Sequence, residues 1–268
     1  ISLGLVGSEM CIRDRVHPGQ GFCRPCGGTR RDDALQCGVD RTGHLAPARR
    51  DRKPPAVDRP GAVAGLRTAL AGFAANWLSD AQAWCVALSG GPDSLALTAA
   101  AAVVLPTTAL IVDHGLQPDS EIVASTAHQQ AMDLGCVRAR VLRVHVGATG
   151  GPEAAARTAR YAALDDARHG APVLLGHTLD DQAETVLLGL GRGSGARSIA
   201  GMRFSDPPWY RPLLGLRRSL THAACSELGL TAWVDPHNSD PRFTRVRLRT
   251  EVLPLLEQVL GCLLYTSP

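Results

Sequence analysis

The rhythm of apolar and polar positions changes at about Val57. Before it, "HPGQGFCRPCGGTRRDDALQCGVDRTGHLAPARRDRKPPA" sustains neither a period of 2 nor one of 3.6. After it the pattern becomes regular. "AVAGLRTALAGFAANWL" carries apolar residues at helical spacing. "AWCVAL" is a short continuous apolar run, as in a strand buried on both faces. "PDSLALTAAAAVV" predicts a helix with proline in its first turn. "TTALIVD" then reads as a strand, "DSEIVASTAHQQAMDLG" as a helix, and "RARVLRVHV" as a strand that alternates at first. "PEAAARTARYAALDDARHG" is a helix stopped by Gly170, "APVLLG" a strand, and "LDDQAETVLLGLG" a helix ending at Gly191. The predicted strands lie near 84–88, 107–112, 138–145 and 172–176. Strands alternating with helices predict an α/β fold: a doubly wound, mostly parallel sheet with helices on both faces. Ligands of such sheets bind at the carboxyl ends of the strands.

Composition narrows the picture. The chain has 268 residues and is 45% hydrophobic, enough for one large domain, or one domain plus a fragment, with a sizeable core. No run of about 18 apolar residues occurs, so no transmembrane helix is expected. Net charge is +3, but the charge is uneven. Residues 57–191 have 8 Arg against 13 acids; residues 192–249 have 10 Arg against 4 acids. That second stretch is either an electrostatic footprint for a polyanion or a solvated arginine-rich surface. Of eight cysteines, four lie in the first 37 residues. Cys23 and Cys26 ("CRPC") have metal-ligand spacing, but a zinc site needs a second pair, and Cys11 and Cys37 are poor partners. Cys85, Cys136 and Cys225 sit in apolar surroundings and read as reduced core residues of a cytoplasmic protein.

The ends read differently from the middle. "SLGLVGSEMCIRDR" and "CLLYTSP" resemble translated sequencing-adaptor sequence. Residues 1–56 are therefore expected to be a non-native or disordered leader, and residues 262–268 a non-native tail. The first apolar run is short and broken by Gly, Ser and Glu, unlike a secretory signal.

The chemistry concentrates where the predicted strands end. After the first strand come Ser89, Gly90, Gly91, Pro92, Asp93 and Ser94, opening the next helix. Glycines let backbone N–H groups approach an anion, and the helix N-terminus adds about half a positive charge. This predicts a phosphate or pyrophosphate cradle. It is neither GxxxxGK[ST] nor GxGxxG. Asp113 and His114 close the second strand; the acid either contacts a ribose or metal, or caps a turn. Gly176 and His177 follow the fourth strand. Asp180, Asp181 and Glu184 open the helix after it, where acids suit the helix N-terminus or a metal held with phosphates. Arg192 in "GRGSG" lies over the same edge. Arg211 in "YRPLLGLRR", with Arg242, Arg245, Arg247 and Arg249, suits phosphate contacts along a nucleic-acid backbone, although the last three fall on different helical faces.

"SGGPDS" resembles the signature of the PP-loop ATP pyrophosphatases, a Rossmann-like superfamily that includes lysidine synthases, tRNA thiolases, GMP synthetase, asparagine synthetase and NAD synthetase. "LIVDHGLQPDS", "GHTLDDQAETVLLGLGRGSGARSIAGM" and "DPHNSDPRFTRVRLRTEVLPLL", in that order, resemble the tRNA(Ile)-lysidine synthases, particularly the actinobacterial form. The resemblance runs from about Val57 to about Gly261. It implies a catalytic domain over 57–235, a helical connector over 236–261 and a further helical tRNA-binding domain beyond. It implies ATP and Mg²⁺ as cofactors, and free L-lysine and a CAU-anticodon isoleucine tRNA as partners. The wobble cytidine is adenylated at its C2 oxygen, and the lysine ε-amine then expels AMP. A homodimer is a further expectation.

The residues that carry these roles by resemblance are Asp93, Asp181, His177 and Arg157 in catalysis, with Arg157 facing the nucleotide. Ser89 to Ser94, Asp113, His114 and Gly176 bind the cofactor. Asp93, Asp181 and Glu184 hold the metal, and Arg192, Arg211, Arg245 and Arg249 meet tRNA. The rival readings are a tRNA 2-thiolation enzyme of the same superfamily, whose cysteine pair is lacking outside the leader, and a nonenzymatic nucleotide-binding module.

Overall fold

The computed structural model describes residues 61–115, 119–145, 152–193, 200–235 and 239–260. The leader, its CRPC pair, the end of the GRGSG loop and residues 262–268 lie outside the described residues. All described residues belong to one unit, Asp58–Pro268. The elements follow the predicted alternation: α1 (Ala62–Trp77), β1 (Trp84–Ala87), α2 (Pro92–Val104), β2 (Thr107–Asp113), α3 (Ser120–Asp133), β3 (Arg138–Arg143), α4 (Pro152–Ala167), β4 (Val173–Leu175) and α5 (Leu179–Gly191). Then come a short hairpin, β5 (Ser205–Asp206) and β6 (Trp209–Tyr210), and α6 (Arg218–Glu227). The last described stretch is α7 (Thr244–Arg247), a π-helical turn (Leu248–Val252) and α8 (Leu253–Leu260).

The sheet order is β3-β2-β1-β4-β6-β5, parallel throughout except for the antiparallel β5–β6 pair. The continuous apolar runs of β1, β2 and β4 serve two cores because successive side chains point to opposite faces. Trp84, Val86, Ala109, Ile111 and Leu174 pack on one face with α1, α2, α3 and α6. Cys85, Leu110, Val173 and Leu175 pack on the other with Leu164 and Ala167 of α4. Trp84 carries a polar tip inside the core, and its Nε1 donates to Thr107 Oγ1 at 2.7 Å. Helix α2 is buried from Ser94 to Ala101, which explains its run of small alanines. The hydroxyl of Thr98 in that run bonds the Ser94 carbonyl at 2.8 Å and so costs the core nothing. Edge strand β3 is half-exposed and departs from the alternation expected of its sequence: Arg140 is half-buried and reaches the Ala167 carbonyl at 3.1 Å, while Val141 is exposed. Among the described residues no helix is long and apolar enough to cross a membrane. Cys85, Cys136 and Cys225 are buried free thiols, as their surroundings predict.

Candidate functional site

The loop after β1 is tightly knit. Gly90 has φ 81°, a left-handed conformation that suits glycine, and its carbonyl accepts the Trp233 N–H at 2.9 Å. Gly91 is the N-cap of α2 and Pro92 its first residue. Ser94 Oγ accepts the Ser89 N–H at 3.2 Å, shares a hydrogen bond with Ser89 Oγ at 3.1 Å and donates to the Gly91 carbonyl at 2.9 Å. The turn is thus preorganised, with the positive end of α2 facing outward from the sheet edge.

Parallel pairing of β1 with β2 and β4 brings three strand ends to this edge. Asp113 is nearly buried and its Oδ1 accepts the Gly115 N–H at 3.0 Å, closing a turn. His114 has a buried Nδ1 without a partner; burial first, then Arg160, lowers its pKa while Asp113 opposes. A Cβ on Gly176 would stand 3.1 Å from Ser94 Cα and N and 3.2 Å from the Asp93 carbonyl carbon. Gly176 thus also serves the close approach of the β4 end to α2. Beside the loop opens a cavity of about 510 Å³, whose lining includes Ser89, Asp113, His114, Arg160, Trp233 and Asp235. That volume suits a small organic ligand.

The acids expected to hold a metal are occupied by arginine. Arg218 Nη2 lies 2.5 Å from Asp181 Oδ1, its Nε 3.3 Å from Asp93 Oδ2 and its Nη1 3.4 Å from Glu184 Oε1. Asp93 Oδ1 accepts the Thr221 hydroxyl. Asp181 Oδ2 accepts the N–H and hydroxyl of Thr178, at 2.7 and 2.8 Å, so it also caps α5. Glu184, fully buried, meets Arg249 Nε at 2.8 Å and Arg245 Nη1 at 3.5 Å. Every carboxylate oxygen of the three already has a donor, and among the described residues no group of three His, Cys, Asp or Glu suits a metal. The expected metal set does not fit a divalent ion as it stands.

His177 lies near Asp181 and three arginines, Arg157, Arg160 and Arg211. His177 Nδ1 is buried without a partner. Burial, the largest cause, pushes its imidazole down to about 4; Asp181 opposes, and Arg211, Arg160 and Arg157 add to the lowering. Arg157 and Arg160 lie 5.1 and 5.4 Å from the ring centre of Tyr161, which packs edge-on to Trp209 at 4.8 Å.

A family model described as a PP-loop domain matches residues 65–256. The chain belongs to the PP-loop family. Over 205 residues it is 73% identical to a protein of Mycolicibacterium paratuberculosis named tRNA(Ile)-lysidine synthase, covering 76% of this chain and 64% of that one. It is 74% identical over 205 residues to the protein of that name in Mycobacterium tuberculosis strain H37Rv, covering 63% of it. The chain thus spans less than two thirds of the length of these relatives. A solved structure, the U34-tRNA thiolase NcsA of Methanococcus maripaludis with its 4Fe–4S cluster, aligns with a TM-score of 0.57 at 17% identity, over 74% of each chain. At that identity the likeness is one of fold.

Within this PP-loop domain the structure gathers most of the residues singled out from sequence. Ser89 to Ser94, Asp113, His114, His177, Asp181 and Glu184 share one sheet edge, and Arg157, stacked on Tyr161, is close enough to lower the pKa of His177. Three arginines expected on tRNA phosphates have partners within the domain, although Arg245 stays half-exposed. Arg211 is 7% exposed and its Nη1 donates to the Arg203 carbonyl at 3.0 Å. Arg245 and Arg249 are drawn to Glu184, because a fully buried carboxylate needs nearby cations. Arg242 pairs with Asp240 and Arg247 with Glu251, both on the surface. Arg192 remains exposed, at the C-cap of α5. Sequence reasoning missed Arg218, Thr221 and Trp233. The structure explains why Arg218 needs partners: it is the first residue of α6, where the helix dipole repels a cation, so the carboxylates hold it there.

Proposed function

We propose that this chain carries the catalytic domain of a tRNA(Ile)-lysidine synthase. The observation that carries the reading is the 205-residue stretch, 73% identical to a protein of that name, folded around an SGGPDS loop at the carboxyl edge of a parallel sheet. In this reading ATP lies in the cavity beside β1 and β2, with its phosphates at the N-terminus of α2. The wobble cytidine of a CAU-anticodon isoleucine tRNA presents its C2 oxygen to the α-phosphate, and pyrophosphate leaves. The ε-amine of L-lysine then displaces AMP from C2.

The chain's own work is to hold and to stabilise charge. The Ser89–Ser94 loop and helix dipole bind phosphate. Arg157, Arg160 and Arg211 supply a positive field where negative charge develops. His177 stays a neutral imidazole at physiological pH, a hydrogen-bonding group and not a fourth cation. Mg²⁺ enters this proposal with the phosphates of ATP, whose oxygens it prefers as ligands; no step is assigned to it through Asp93, Asp181 or Glu184.

Two measurements test the reading. This chain should exchange labelled pyrophosphate into ATP when supplied with the tRNA. Lengthened with the remaining part of the Mycolicibacterium paratuberculosis relative, it should incorporate radiolabelled lysine into CAU isoleucine tRNA and not into elongator methionine tRNA. Sulfur incorporation instead would favour a thiolase. The buried thiols speak against that outcome: burial raises Cys85 and pushes Cys136 and Cys225 up to about 11, so none is a thiolate at neutral pH. Absence of both activities in the folded, lengthened protein would leave a nucleotide-binding module.

A further inference from the structure

The acid cluster of the site is organised around one side chain that no part of the proposed reaction uses. Arg218 touches carboxylates from two helices: Asp93 in the first turn of α2, and Asp181 and Glu184 on α5. Its backbone N–H donates to Asp180 Oδ2 at 2.7 Å, and its side chain is 16% exposed. Thr221, one turn further along α6, holds the other oxygen of Asp93. A planar guanidinium presents five donors in a fixed fork, which suits several carboxylates at once; an ammonium does not.

We propose that Arg218 is the resident cation of this cluster and a positioning residue for the PP-loop. In the nucleotide-free protein it fills the place where a divalent ion would otherwise sit among Asp93, Asp181 and Glu184. By tying Asp93 to α5 it fixes the first turn of α2, and with it the Ser89–Ser94 loop, against the strand end that carries His177. The inference rests on the loop being the nucleotide site. It holds whatever the enzyme adenylates.

The test needs no nucleotide and no tRNA, so it fails or succeeds separately from the lysidine reading. Manganese chloride is titrated into the whole protein and free Mn²⁺ is read by electron paramagnetic resonance. Amide hydrogen exchange at residues 91–95 is followed in parallel. The unmodified protein should show no Mn²⁺ site sensitive to Asp181→Asn. Arg218→Ala leaves Asp93 and Asp181 without their cation, while Glu184 keeps Arg245 and Arg249, and should bind Mn²⁺ at least about tenfold more tightly than the unmodified protein. Arg218→Lys keeps a charge in the cluster and should exclude Mn²⁺, yet residues 91–95 should exchange faster, since one ammonium does not bridge the three acids. A merely structural arginine would change melting behaviour without creating a metal site. An Asp181-dependent Mn²⁺ site in the unmodified protein overturns the proposal, as does a folded Arg218→Ala that gains no Mn²⁺ affinity. If Arg218→Ala does not fold, the unmodified protein and Arg218→Lys still decide: unchanged exchange at residues 91–95 in the lysine variant also overturns it.

Discussion

Glu184 is an unusual residue to bury completely, and its neighbours explain how it is tolerated. Three arginines, 218, 245 and 249, supply donors to its two oxygens. A buried ion network adds little net stability when intact, but removing one charge leaves its partners uncompensated. Glu184→Gln should therefore cost about 3 kcal/mol in urea denaturation, the lower end of the range for buried pairs because Arg245 is half-exposed. A cost near zero would show that the arginines find other partners. His177 gives a second residue-scale expectation. Its folded-state pKa, about 4, lies below the ordinary 6.5, so between these values the unfolded chain binds a proton that the folded one refuses. Stability should fall as pH drops through that window, by at most roughly 3 kcal/mol from this group. Carboxylates also respond to acid, so the measurement is the difference between the unmodified protein and His177→Gln. The variant should lose less stability between these pH values; parallel curves would exclude a neutral buried imidazole.

At the scale of elements, the contact that makes the site is β4 against α2. Gly176 and the backbone of Asp93 and Ser94 leave no room for a methyl group. Gly176→Ala has to displace backbone, so it should destabilise the fold by about 1–3 kcal/mol and raise the KM for ATP in pyrophosphate exchange. A change in stability with KM untouched would mean that the loop moves as a body. This contact also marks the limit of what was legible. The elements through α5 were readable because each carries its own period and stop signal: β1, β2 and β4 as unbroken apolar runs, Gly170 and Gly191 as helix ends. The β5–β6 hairpin was not, since two-residue strands have no periodicity. The loop was legible because its chemistry is local, in six consecutive residues. Arg218 was not, because its partners lie 125, 37 and 34 residues away and no local pattern links them. The metal expectation meets the same limit: acids at the start of a helix look alike in sequence whether a metal or an arginine lies against them.

For the whole molecule, the open question from sequence was whether the arginine excess of residues 192–249 is a footprint for a polyanion. Much of it is used internally. Arg211 is buried, Arg218, Arg245 and Arg249 serve the acid cluster, and Arg217 Nη1 bonds Glu257 at 2.7 Å. Arg242 and Arg247 are neutralised by surface acids. Phosphate contacts set the affinity and salt dependence of tRNA binding, with a slope of about −0.7 to −0.9 per contact in the logarithmic plot. Among the described arginines of this stretch few are left to make such contacts, so this chain should bind CAU isoleucine tRNA weakly, with a shallow salt slope. The chain spans 64% of the length of its Mycolicibacterium paratuberculosis relative. We propose that the rest of that relative supplies most of the phosphate contacts. Adding it should tighten tRNA binding by a factor of roughly a hundred at moderate salt and steepen the slope by about two or more contacts' worth. Filter binding across a salt series measures both. A steep slope for the present chain alone, abolished by neutralising Arg242 and Arg247, would instead place the tRNA footprint on the PP-loop domain itself.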